Sequence, residues 1–190
     1  MISRLDHVAV AVNDYDQAIR FFTRVLGAAP GASLTEDKLK FRWEILSVGD
    51  LSRLEILNPA GPGSFLEGFL KDRPGGVHHL TFETPDIQQT KTVLEEHGIP
   101  YFGFNDENPA WKELFIHPRD AFGVLIQIAE FEPSEFLDAS VRLPRDCRWT
   151  VQKRQNGGTL SLSHPGGGKF ELDLDSDAVR KLINDLESLL

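Results

Sequence analysis

Three observations predict an α+β fold built on an internal repeat and carrying a small β-β-β-α appendage. Strand-like alternation and helix-like periodicity take turns twice within the first 130 residues. A shift of 72 residues lays His7 on His79 and Glu55 on Gln127, and it brings Gly27 to within one residue of Gly98. Beyond residue 131 the pattern changes to three short alternating runs and one amphipathic run.

The first unit opens with HVAVAV (7–12), an alternating strand. In NDYDQAIRFFTRVLG, Ala18, Ile19, Phe22, Val25 and Leu26 recur at helical spacing. Asn13 and Asp14 are its available N-caps, and Gly27 is the left-handed stop. LKFRWEILSVG (39–49) and SRLEILNP (52–59) read as a hairpin closed by a Gly-Asp turn at 49–50. The second unit repeats the order: the strand HHLTFET (78–84), the helix PDIQQTKTVLEEHG with Ile87, Thr90, Val93 and Leu94 on one side, and the strands WKELFIHP (111–118) and FGVLIQIAEF (122–131). A further short strand fits near 100–104. Between the units, residues 58–76 read as a Gly/Pro-rich linker with a helical piece at FLEGFLK. In the tail, CRWTVQKR, TLSLSH and KFELDLD are strands separated by QNGG and PGGG turns, and SDAVRKLINDLESLL is a capped helix. About 40 residues bury little surface alone, so this unit is expected to dock on the main domain or on a dimer partner.

Composition narrows the function classes. The formal net charge is −9 and there is no Lys/Arg run, which argues against nucleic acid and anionic membranes as partners. No apolar run approaches the ~18 residues of a spanning helix, and MISRLDHVAV lacks signal-peptide architecture. The single cysteine, Cys147, permits no internal disulfide and suits a cytoplasmic setting. It reads as a packing residue.

Separating odd from even residues gives each strand a bulky face and a second face of small and single polar residues. Val8, Val10 and Val12 oppose His7, Ala9 and Ala11; His78, Leu80 and Phe82 oppose His79, Thr81 and Glu83. Leu54 and Ile56 oppose Arg53, Glu55 and Leu57; Val124, Ile126 and Ile128 oppose Leu125, Gln127 and Ala129. In 41–46, Phe41, Trp43 and Ile45 oppose Arg42, Glu44 and Leu46. Two histidines and a carboxylate on such faces suit a transition-metal site. A strand histidine taken singly is more often structural, and the spacing is not a compact ligand motif, so the pattern leaves both readings open. By alternation His79 belongs to the site face and His78 to the packing face or the start of the strand.

The stretches LDHVAVAVNDYDQAIRFFTRVLG, RLEILNPAGPGSFLEGFLK, GGVHHLTFETPDI and FIHPRDAFGVLIQIAE resemble, in order, the vicinal oxygen chelate (glyoxalase/bleomycin-resistance/dioxygenase) superfamily, most nearly its methylmalonyl-CoA epimerase branch. The resemblance implies two βαβββ modules, at about 4–60 and 76–131, within a domain of residues 1–131, with 132–190 as an extension. It implies one divalent ion (Zn²⁺, Co²⁺, Ni²⁺, Mn²⁺ or Fe²⁺) held by His7, Glu55, His79 and Gln127. It also implies Glu44 as a catalytic base, substrate contacts from Arg42 and His117, a small anionic substrate such as an acyl-CoA, and a homodimer. Arg53, Lys112 and Arg119 are further cations within reach of an anion, each equally readable as a solvated side chain. Family chemistry is stabilisation of an enolate by chelation of two substrate oxygens. Gln127 departs from the family, which places a glutamate there: an amide ligates through its oxygen but cannot take a proton, and the ion would keep a net +1 charge. The other readings in view are a glyoxalase I-type isomerase or lyase and a non-catalytic small-molecule binding protein; an Fe²⁺ dioxygenase is disfavoured because Gln127 replaces the usual carboxylate ligand.

Overall fold

The computed structural model describes residues 2–49 and 51–190, so Asp50, half of the expected Gly-Asp turn, and Met1 lie outside the described residues. One sheet of eight strands carries most of the chain: β1 (Arg4–Val12), β2 (Ala29–Glu36), β3 (Phe41–Val48), β4 (Ser52–Pro59), β5 (Gly75–Glu83), β6 (Phe102–Asn105), β7 (Trp111–Ile116) and β8 (Ile126–Phe131). Their order is β2-β3-β4-β1-β5-β8-β7-β6. Outward from the centre, both directions repeat one plan: first strand, fourth strand in parallel, then third and second. The two central strands, β1 and β5, pair antiparallel, so the halves join within one chain.

Helices α1 (Tyr15–Arg20) and α3 (Ile87–Glu96) follow the first strand of each half. Asp14 caps α1 by accepting the Gln17 N–H, and Asp86 caps α3 by accepting the Gln89 N–H, both at 2.9 Å. Over Phe21–Val25 the first helix widens to i→i+5 bonding before Gly27 turns the chain at φ 73°. These helices cover the bulky face. Leu46 and Ile56, both 0% exposed, pack there with Val10, Val12, Tyr15, Ile19 and Phe22. Ile87, Leu114, Ile116 and Ile128 fill the matching position in the second half. A short helix α2 (Leu66–Leu70) lies on the opposite face, where Leu66 and Leu70 meet Ala9, Ala11 and Leu57.

Four local expectations change. Residues 29–36, to which the alternation pattern assigns no strand, form β2 along an edge of the sheet, where the missing N–H of Pro30 costs no ladder bond. The expected strand 122–131 begins only at Ile126, because Phe122 (φ 56°) and Gly123 (φ 90°) turn the chain. Asp6 is an extra residue in β1, since Leu5 pairs with Phe82 and His7 with Thr81. His78 is likewise extra in β5, since His79 pairs with Ala9 and Val77 with Val10. Both are β-bulges, and both re-aim a side chain.

Residues beyond 131 form two short turns at Pro133–Phe136 and Ala139–Val141. A separate antiparallel sheet follows, ordered β11-β10-β9, from β9 (Trp149–Arg154), β10 (Gly157–Ser163) and β11 (Lys169–Leu174). Helix α4 (Ser176–Glu187), capped by Asp175, packs on β10 and β11. Among the described residues no helix is long and apolar enough to cross a membrane.

Candidate metal centre

Residues directly opposite in a ladder project to the same face. His7 is opposite Thr81, Ala9 is opposite both His79 and Glu55, and Thr81 is opposite Gln127. The two parallel and one antiparallel pairings therefore bring His7, Glu55, His79 and Gln127 to one face at the centre of the sheet. The Glu55 Oε2 lies 3.7 Å from His7 Nε2 and 3.5 Å from His79 Nε2. One donor atom from each of His7, Glu55 and His79 fits within 4.8 Å of the others. The Gln127 Oε1 is 3.1 Å from His79 Nε2. His7 is 2%, His79 6% and Gln127 7% exposed.

Each donor is held from behind. The bulged Asp6 puts its Oδ2 2.7 Å from His7 Nδ1, which places the proton on Nδ1 and leaves Nε2 facing the cluster. Asp6 in turn accepts from Arg53 Nη1 at 2.6 Å and from Arg4. The His78 and His79 Nδ1 atoms are 2.9 Å apart, so a proton on His79 Nδ1 donated to His78 frees the His79 Nε2 lone pair. The His78 ring packs on Phe69 and Phe65 at 5.0 and 5.8 Å. Alternation places His79 on the site face, where it is found, but the bulge puts His78 behind its neighbour and not on the packing face. Gln127 donates through Nε2 to Glu113 Oε2 at 2.6 Å, and that oxygen also accepts from Trp111 Nε1 at 2.8 Å. The Gln127 carbonyl oxygen is left to face the cluster, with the Thr81 hydroxyl 2.6 Å away.

Electrostatics follow from burial and these partners. Burial alone would lower the His7 pKa, but its hydrogen bonds to Asp6 and Glu55 outweigh that and raise it to about 9. Burial dominates at His79 and lowers it to about 4. For Glu55 burial pushes upward, yet the bond to His7 and the nearby imidazoles win and hold the carboxylate below its ordinary range. Two imidazoles, one ionised carboxylate and one amide oxygen, converging with lone pairs inward, fit a divalent transition metal.

Two expected site residues lie elsewhere. Glu44 pairs with Ile56, and Ile45 pairs with Glu55, so Glu44 faces the helix side of the sheet. It is 8% exposed, accepts from the Tyr15 hydroxyl, and burial raises its pKa. Arg42 shares that face, with its guanidinium carbon 3.7 Å from the centre of the Tyr15 ring. Both therefore lie on the face opposite Glu55, away from the His/Glu/His cluster. The cause is that β3 turns its aromatic residues, Phe41 and Trp43, toward α2 and the site face. His117 is exposed at the end of β7, where its Nδ1 accepts from Arg119 N at 3.2 Å and its ring centre lies 6.3 Å from that of Phe102. Arg53, readable as a solvated side chain, is 5% exposed and bound to Asp6. Asp6, His78, Trp111 and Glu113 were not singled out as site residues from the sequence; only the bulges and the cross-strand register reveal them.

An eight-stranded sheet with a His/Glu/His cluster between its two central strands and their parallel neighbours defines the class. A profile of the glyoxalase/bleomycin resistance protein/dioxygenase superfamily matches residues 6–115. The chain belongs to this superfamily. It is 34% identical over 134 residues to the ethylmalonyl-CoA/methylmalonyl-CoA epimerase of Cereibacter sphaeroides, an alignment covering 68% of this chain and 99% of that one. It is 33% identical to the mitochondrial methylmalonyl-CoA epimerase of Bos taurus, covering 68% of this chain and 75% of that one. The crystal structure of methylmalonyl-CoA epimerase from Mycobacterium tuberculosis superposes with a TM-score of 0.63 at 30% identity, covering 70% of this chain and 90% of that one.

Proposed function

We propose that this chain is a metal-dependent epimerase of the methylmalonyl-CoA epimerase type. It would invert the α-carbon of an acyl-CoA whose thioester carbonyl and neighbouring carboxylate chelate one divalent ion. The observation that carries this reading is the convergence of His7 Nε2 and His79 Nε2 on Glu55 Oε2, with Gln127 Oε1 completing the set. The likeness to acyl-CoA epimerases supports the substrate class.

A bound ion would supply Lewis-acid stabilisation of the negative charge that develops as the α-proton leaves. The residues do the remainder. Asp6 and His78 engage the Nδ1 atoms of His7 and His79, which leaves the two Nε2 atoms facing the cluster. Gln127 contributes an oxygen and no charge, so a divalent ion held with Glu55 would keep a net positive charge that favours the carboxylate of an anionic substrate. Glu44 faces away, which leaves Glu55 as the carboxylate within the cluster, and proton removal is assigned to it. Once the α-carbon is planar, a proton delivered by water to its other face would invert the centre, and Glu55 would give the proton it took back to solvent.

The test is solvent deuterium incorporation at C2 of methylmalonyl-CoA by protein loaded with Co²⁺ or Zn²⁺. Exchange and racemisation are expected in wild type, and Glu55→Gln is expected to lose both. Metal uptake without exchange would sink the epimerase reading and leave a glyoxalase-type isomerase or lyase. No metal uptake at all would leave a small-molecule binding protein.

A further inference from the structure

We propose that the C-terminal extension, residues 132–190, is a positioning element for the metal centre and grips it at two ligands through two separate relays. This rests on the metal-site reading above and names what holds that site in shape.

The first relay starts at His7. Its Nδ1 is held by Asp6 Oδ2 at 2.7 Å, and Asp6 Oδ1 accepts from Arg53 Nη1 at 2.6 Å. The other terminal nitrogen of Arg53 donates to the backbone carbonyl of Gly166, in the loop between β10 and β11. Asp6 is 4% and Arg53 5% exposed, so with the loop in place the Gly166 carbonyl is the partner of that guanidinium nitrogen in a buried setting. A side chain at Gly166 would run into the Arg4 guanidinium, which itself binds Asp6 and Glu83. A side chain at 166 would therefore have to displace the Arg4 guanidinium from Asp6 and Glu83.

The second relay starts at Gln127, on the other half of the sheet. Its amide nitrogen is fixed on Glu113 Oε2, and Trp111 Nε1 donates to the same oxygen. Trp111 is held by Phe136, which stands against Trp111 at 5.4 Å, Phe131 at 5.4 Å and Trp43 at 6.2 Å between ring centres. Trp43 belongs to β3 and Trp111 to β7, so Phe136 bridges both halves of the sheet. Its backbone oxygen also lies against Gly31 of β2.

Each relay ends on the extension, and each begins at a different donor. The family profile stops at residue 115, and the Cereibacter epimerase aligns over 99% of its own length with only 68% of this chain, so about a third of the chain has no counterpart there. The extension is thus an added support for a ligand set that holds a glutamine where a second carboxylate is usual.

The experiment uses the full-length chain and Co²⁺, whose visible absorption reports coordination. Phe136→Ala and Gly166→Ala are compared with wild type and with Val151→Ala, an exposed residue on the outer strand of the extension. Both relay variants are expected to bind Co²⁺ about 10–100-fold more weakly and to change its absorption bands, while Val151→Ala matches wild type. Phe136→Leu, which keeps an apolar side chain and loses the aromatic contacts, is expected to change the bands alike, and it stands in if the other two fail to fold. Unchanged affinity and bands in the relay variants, with only a lower melting temperature, would overturn the proposal. Wild type that takes up no Co²⁺ would sink the metal reading and this inference together.

Discussion

At the scale of single residues, the histidine pair at 78 and 79 shows how one backbone irregularity reverses a side-chain argument. A regular strand would send His78 away from the site; the bulge places it 2.9 Å behind His79 instead. His79→Ala is expected to abolish metal binding, and His78→Ala to weaken it by about 10–100-fold, both read by titration with Zn²⁺ against a chelating indicator. Equal affinity of wild type and His78→Ala would show that the second histidine orients nothing. Glu44 gives the opposite case. Burial raises its folded pKa above the ordinary 4.5, so the fold favours the protonated acid. That contribution is fully present below the unfolded pKa and is lost as pH rises through the folded pKa. Glu44→Gln is therefore expected to raise the melting temperature at pH 7–8 but not at pH 4, and to leave Co²⁺ binding intact. A loss of Co²⁺ in this variant would return Glu44 to the site.

Among elements, β7 and β8 explain why a glutamine is tolerated as a donor. Glu113 stands 2.6 Å from the Gln127 amide, so a carboxylate at 127 would face a carboxylate at 113. Gln127→Glu alone is expected to lower stability through that like-charge contact, and adding Glu113→Gln is expected to recover most of it. A double-mutant cycle by thermal unfolding with an interaction energy near zero would contradict the pairing. The repeat, the helices and the Asp14 cap, one of two candidates with Asn13, were legible because they rest on local periodicity and capping; the Asp86 cap was not singled out. The edge strand β2 was not, since APGASLTE shows no alternation of bulky and polar residues and pairing with β3 is what holds 29–36 extended. The face of β3 was misread because its aromatic residues look like core when α2, a nonlocal neighbour, is not yet in view. The repeat held a clue: the shift of 72 residues that aligns the ligands lays Glu44 on Ile116, a buried core residue. Relays such as Trp111–Glu113–Gln127 depend on register between strands, which no single segment encodes.

For the whole molecule, the pairing of β1 with β5 decides where the site is complete. The resemblance implied a homodimer, and the repeat alone left the halves free to pair within one chain or between two. Here His7 and Glu55 come from one half, His79 and Gln127 from the other, and the antiparallel ladder from Arg4–Glu83 to Val12–Gly75 joins them in a single chain. The metal reading then fixes the stoichiometry at one ion per chain, independent of protein concentration. Complementation tests this directly. If sites formed across a dimer, His7→Ala chains co-refolded with His79→Ala chains would rebuild some sites with both histidines intact. With the ladder closed inside each chain, every site in the mixture lacks one histidine, and Co²⁺ uptake is expected to stay at the level of the separate variants. Recovery of binding on mixing would mean that the halves exchange between chains, and that β1 finds its β5 in a second molecule.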